Sequence, residues 1–158
     1  MTSAELATGI DLSKWEINNP VDKDKYYNCD AVIEAYLKGE KDELKNEQKV
    51  LFNQFTTNVE RSKTNVIKLL TDIEKHGFTP LTAYIKFDSF DVFHALISVP
   101  ESDFVKDEFL NAYNQAIKLE NEIQDELYSL SFSFIPMSVN TIEESIINDG
   151  YVIRLKKS

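Results

Sequence analysis

The sequence predicts an α/β protein of the α+β type: a two-layer sandwich in which a four-stranded mixed sheet carries two long helices on one face. Three observations predict it. Two long stretches repeat apolar residues at spacings of three and four, the mark of a helix with one buried stripe. Leu81 to Val99 holds two runs of alternating side chains joined at Asp88-Ser89-Phe90, and alternation with period two marks a half-buried strand. Leu127 to Ile135 alternates again, with Tyr128, Leu130, Phe132 and Phe134 on one side and Ser129, Ser131 and Ser133 on the other. The expected order is helix, helix, strand, strand, helix, strand, helix, strand.

Residues 1–29 show neither period and carry the turn signal Asn18-Asn19-Pro20, so they read as an irregular N-terminal arm. Residues 30–158 then form a single domain. Trp15, Tyr26 and Tyr27 stand out in the arm. They anchor it either to its own domain, the preferred reading, or to a partner, since Trp and Tyr are favoured anchors at interfaces.

Asp30 is placed to cap a short helix from Ala31 to Lys38, with Gly39 as its stop. A long helix is expected from about Leu44 to His76. Its stripe is Phe52, Phe55, Val59, Val66, Leu69 and Ile73, with Ser62 filling the gap in the series. Leu51, Ile67 and Leu70 widen the stripe, which suits packing on a sheet more than a two-stranded coiled coil. Lys75-His76-Gly77 is a suitable ending.

The hairpin follows, bounded by Pro80 and Pro100. Two registers compete. An even loop sets Lys86 opposite Asp91 and Ala83 opposite His94. An odd loop gives Leu81, Ala83, Ile85 and Phe87 one face with Phe93, Ala95, Ile97 and Val99, and leaves Thr82, Tyr84, Lys86, Val92, His94, Leu96 and Ser98 on the other. The odd register separates polar from apolar more cleanly and is preferred. With no Gly at the tip, a loop of four or five residues is expected rather than two.

Ser102 or Asp103 is expected to cap the second long helix, which runs to about Glu126 on the stripe Val105, Phe109, Ala112, Ala116, Leu119 and Ile123. The third strand, Leu127 to Ile135, ends at Pro136. A short helix from Asn140 to Ile147 begins with Thr141 and Glu144 spaced as a capping box. Asn148-Asp149-Gly150 is a turn, and Tyr151 to Leu155 the last strand. A helical crossover between the second and third strands suggests that those two are parallel.

Composition narrows the function classes. A chain of 158 residues that is 42% hydrophobic can bury a core without disulfides or metal. A formal charge of −10 argues against broad binding to a phosphate backbone, so a nucleic-acid partner is not expected. One cysteine, Cys29, fits a reducing compartment and shows no sign of an activated thiol. No apolar run reaches membrane-spanning length and the N-terminus lacks a secretory pattern, so the expectation is a soluble cytoplasmic protein without a membrane partner.

The one polar constellation that suggests chemistry is Asp88, Asp91 and His94. Paired carboxylates hold divalent cations for phosphoryl or nucleotidyl transfer. Over Phe87 to Val99, an acid-bearing strand in a small mixed sheet loosely resembles the nucleotidyltransferase palm, which would imply a metal-bound nucleotide. The chain departs from that pattern because it contains no Gly-Ser pair for the phosphate contact. Turn chemistry and an ion pair explain the two aspartates more simply. No hydrolase elbow, phosphate loop, dinucleotide fingerprint or zinc-protease motif occurs, so no cofactor or metal is expected.

The leading expectation is therefore a non-catalytic interaction or regulatory protein. It would bind a protein partner or itself through Trp15, Tyr26 and Tyr27 of the arm, or through the sheet face bearing Tyr84, Lys86, His94, Ser98, Ser129, Ser131 and Ser133. The alternative is a divergent metal- or nucleotide-dependent enzyme using Asp88, Asp91 and His94. Acidic mimicry of nucleic acid ranks last, because the carboxylates are interspersed with lysines, as in Glu40-Lys41-Asp42-Glu43.

Overall fold

The computed structural model describes residues 14–18, 46–137 and 143–157. Along the chain these form β1 (Trp15–Asn18), α1 (Asn46–Lys75), β2 (Thr82–Ser89), β3 (Val92–Pro100), α2 (Glu101–Phe104), a 3₁₀ turn (Asp107–Phe109), α3 (Leu110–Ile123), β4 (Ser129–Met137), α4 (Glu143–Asn148) and β5 (Ile153–Lys157). The strands make one mixed sheet in the order β1-β5-β2-β3-β4. The mixed α/β class is as expected, but the sheet has five strands rather than four. The extra strand comes from the supposedly irregular arm: Trp15–Asn18 pairs antiparallel with β5. Four residues are too few to display a period, which is why alternation did not reveal it. The expected helix at Ala31 to Lys38, Cys29 and the capping residue Thr141 lie outside the described residues.

The body of the hairpin takes the odd register, with Ala83 opposite Ile97, Ile85 opposite Ala95 and Phe87 opposite Phe93. The tip departs from the expected longer loop. Ser89 pairs with Val92, so the turn itself is Phe90-Asp91, and the register shift falls at Asp88. A bulge adds local twist, and the described chain has no positive φ outside glycine. The bulge thus lets a turn without glycine join twisted strands. β3 and β4 run parallel, as the crossover suggested.

The two faces of the sheet differ. Ala83, Ile85, Phe93, Ala95, Ile97, Val99, Leu130, Ile153 and Leu155 are buried and line the face under α1 and α3. Phe55 of α1 meets Phe87 edge to face at 4.9 Å between ring centroids. Trp15 is only 4% exposed and belongs to this core. Pairing with β5 carries its indole inside, and burying so large a ring in the home domain outweighs displaying it. Tyr26 and Tyr27 lie outside the described residues.

α1 ends as its sequence predicts. Gly77 has a φ of +90°, its N–H bonds Glu74 O at 3.0 Å, and Phe78 N–H bonds Ile73 O at 3.3 Å. This closes the helix with a left-handed residue that only glycine adopts without strain.

The second long helix is interrupted. Glu101 to Ile123 breaks into α2, the 3₁₀ turn and α3. Asp103 is no cap: it is buried, and its carboxylate accepts Thr79 N–H at 2.9 Å and the Lys106 ammonium at 3.2 Å. Its acceptor capacity is spent holding the α1–β2 connection. β4 runs on through Pro136 to Met137, because on an edge strand proline loses no ladder bond.

A polar seam crosses the α1 interface. Asn58 is fully buried, donating from Nδ2 to Phe90 O and to Leu127 O, both at 2.8 Å, and accepting from Gln54 Nε2 at 3.0 Å. Ser62, the gap in the stripe, donates to Asn58 O at 2.8 Å and shares a 2.9 Å bond with the Tyr128 hydroxyl. The seam therefore ties the hairpin tip and the loop before β4 to one helix.

Candidate functional site

The second face of the sheet carries the polar residues. Register places Lys86, His94 and Ser131 in one row across β2, β3 and β4. The neighbouring row is Arg154, Tyr84, Leu96 and Ser133. The short helix α4 covers the β5–β2 end of this face. Glu143 binds Arg154 at 2.8 Å, Ile146 is buried, and Tyr84 is only 2% exposed. Burial and the Glu143 carboxylate push the Tyr84 hydroxyl up to about 12. The β3–β4 end stays open, with Ser131 and Ser133 exposed and Val92, Leu96 and Ile135 half-buried.

On the open end three side chains are joined. His94 Nδ1 lies 2.6 Å from Ser131 Oγ, and His94 Nε2 lies 2.7 Å from Asp88 Oδ2. Local structure explains the contact. The bulge at Asp88 breaks the ladder next to Phe87–Phe93, and the carboxylate reaches diagonally to the ring. The parallel pairing of β3 with β4 puts Ser131 directly beside His94. One-third of the His94 side chain remains exposed to solvent, at 32%, and Asp88 is more open at 59%. Nearby, the Lys86 ammonium sits 5.0 Å from the centroid of the Tyr151 ring. Burial raises the Tyr151 hydroxyl above its ordinary value, with Asp149 and Asp88 adding to the rise.

These bonds fix the tautomer. An ionised carboxylate only accepts, so Nε2 carries the proton facing Asp88. In the neutral ring Nδ1 is then an acceptor, and the Ser131 hydroxyl donates to it. The arrangement can orient a hydroxyl, take its proton and return it.

The other expected site residues divide. Asp91 does not join the group: its carboxylate accepts the Ser89 hydroxyl at 2.7 Å within the turn. Ser98 is buried, accepting Thr82 N–H and donating to Thr82 O, each at 3.0 Å. Tyr84 lies under α4 and is likewise not on the open surface. Ser129 backs onto the hairpin, its N–H bonding Asp91 O at 2.8 Å. Tyr151 was missed, since one aromatic beside a turn carries no periodic signal. The direct link from His94 to Ser131 was legible only as membership of the same face.

A separate concavity lies between α1 and the end of α3. It is an open cleft of about 750 Å³ lined by Thr57, Arg61, Thr64, Asn65 and Gln124 among others. Arg61 has structural work there. It bonds Ile123 O at 3.2 Å, pairs with Asp125 at 3.0 Å and stacks 4.1 Å from the Tyr128 ring centroid. The Leu127 N–H, and then Arg61, hold the Asp125 carboxyl below its usual range.

Among the described residues no group of three His, Cys, Asp or Glu side chains is disposed to hold a metal ion, and no helix is long and apolar enough to cross a membrane. The fold and site define a mixed α/β protein with one half-open sheet face. Comparison with protein-family models, with curated proteins and with solved structures finds no match for this chain.

Proposed function

We propose that the chain is an interaction or regulatory protein that binds a protein partner, or a second copy of itself, through the open β3–β4 end of its sheet. One observation carries this reading: a polar centre, Asp88–His94–Ser131, shares with the half-buried Val92, Leu96 and Ile135 the end of a sheet face that the described helices leave uncovered. The half-buried aliphatic side chains offer apolar area and the oriented polar groups offer direction, the two parts that a protein-binding patch combines. The arm contributes less than expected, because Trp15 is spent on the core.

The metal- or nucleotide-dependent alternative has less support, since Asp91 turns away to Ser89. Binding is tested by placing a photo-crosslinking residue at Ser133 on the open face and, as control, at Lys118 on α3. Capture of one protein species from Ser133 alone, or of a second copy with matching dimer sedimentation, is the expected result. Equal capture from both positions by a chain that sediments as a monomer would sink the reading.

A further inference from the structure

We infer that Ser131 is an acyl-accepting nucleophile, with His94 as its general base and Asp88 as the group that orients His94, acting on small, unhindered carboxylic esters. The inference goes beyond partner binding, although both readings draw on the bonding of the three side chains.

The geometry supplies each role. A serine nucleophile needs a base within about 2.6–3.2 Å and a third group to hold that base in the right tautomer. The 2.6 Å contact from Ser131 Oγ to His94 Nδ1 meets the first need. The 2.7 Å contact from Asp88 to Nε2 meets the second. The connectivity is reversed relative to the common serine triad, in which Nε2 faces the serine. Either ring nitrogen can serve, because protonating one leaves a cation that the carboxylate on the other stabilises. The exposure of Ser131 allows a small ester to approach.

The reaction balances with water as the only co-reactant. Ser131 Oγ bonds to the ester carbonyl carbon as its proton passes to His94 Nδ1. The adduct collapses, the carbon–oxygen bond to the alcohol breaks, and the departing oxygen leaves with that electron pair and takes the proton from Nδ1. The serine ester is then hydrolysed. Water bonds to the acyl carbon, one of its protons goes to Nδ1, the bond to Oγ breaks, and Oγ regains the proton, releasing the carboxylic acid.

The test uses the full chain with p-nitrophenyl acetate, following nitrophenolate release and locating the acetyl group by mass spectrometry. The expected result is an adduct on Ser131 whose rate of formation depends on pH, as general-base catalysis requires. Ser131→Ala abolishes that adduct. His94→Gln slows it by about a hundredfold, the ordinary contribution of a positioned base. Asp88→Asn slows it less and moves the midpoint of the pH profile, which a merely structural role would not do. Circular dichroism of each variant confirms that it is folded. Release that persists unchanged in Ser131→Ala, or an acetyl group found only on lysines or on His94 itself, would overturn the assignment.

Discussion

Two hydrogen-bonded groups in this molecule use similar chemistry in opposite surroundings. The seam of Asn58, Ser62 and Tyr128 lies between α1 and the sheet, with Asn58 and Ser62 at 0% exposure. The group Asp88, His94 and Ser131 lies on the open face, with His94 at 32%. In the seam, hydrogen bonds fasten a helix to two backbone segments, because an unpaired polar group in the core is costly. On the open face water could satisfy every one of these atoms, so stability does not require them to bond one another. What their mutual bonding provides there is orientation. The contrast implies that seam residues control unfolding, while open-face residues control what the surface does.

The largest effect expected from this contrast is at Asn58. Asn58→Ala leaves the part-buried Phe90 O and Leu127 O without their donor; an unpaired carbonyl costs on the order of 1–3 kcal/mol when buried, so the variant loses about 2 kcal/mol in urea unfolding. Asn58→Asp should be no better, since a carboxylate cannot donate to either carbonyl. A loss below about 0.5 kcal/mol, the range of ordinary surface substitutions, would remove the distinction between the two groups. Tyr128→Phe is milder. It deletes the hydroxyl shared with Ser62 but leaves Ser62 bonded to Asn58 O, so about 1 kcal/mol is expected in the same assay.

Alkaline pH probes the boundary between the two faces, where α4 covers Tyr84. The folded hydroxyl is raised to about 12 from the ordinary value of 10.0, mainly by burial and then by Glu143. A raised tyrosine favours its neutral form in the native state. Its contribution is therefore complete below pH 10 and is lost as pH climbs toward 12, because the unfolded chain ionises first. Stability should fall across that window, and Tyr84→Phe should fall less steeply than the parent. Unfolding midpoints measured at several pH values check the sign. Burial raises Tyr128 and Tyr151 too, so the variant softens the decline without abolishing it.

The sequence discloses these regions unequally. The mixed α/β class, the odd hairpin body and the serine side of β4 were legible, because alternation and helical spacing report burial on one face. β1 was not, since four residues carry no period and its pairing partner lies at the far end of the chain. The break after Phe104 was hidden by a stripe that continues through it: Val105 fits the helical spacing yet is 75% exposed. In α1 the gap at Ser62 was visible, but its reason, the hydroxyl of Tyr128, lies 66 residues away. The candidate site was half legible. Its residues shared a predicted face, but the bond from His94 to Ser131 depends on the parallel register of β3 with β4, which periodicity does not set.

The smallest effects are expected on the open face, and their smallness is the test. His94→Ala removes two short hydrogen bonds, yet both partners are exposed and regain water. The change in unfolding free energy should stay within about 0.5 kcal/mol, as for surface substitutions away from special features. Ser131→Ala should be smaller again, for it leaves the Asp88–His94 pair in place. If either variant instead destabilised the chain as much as Asn58→Ala, the open-face group would be a structural brace like the seam, and its exposure would need another explanation. If both stay near zero while acylation or crosslinking changes, the three residues are held together for what they meet and not for what they hold up.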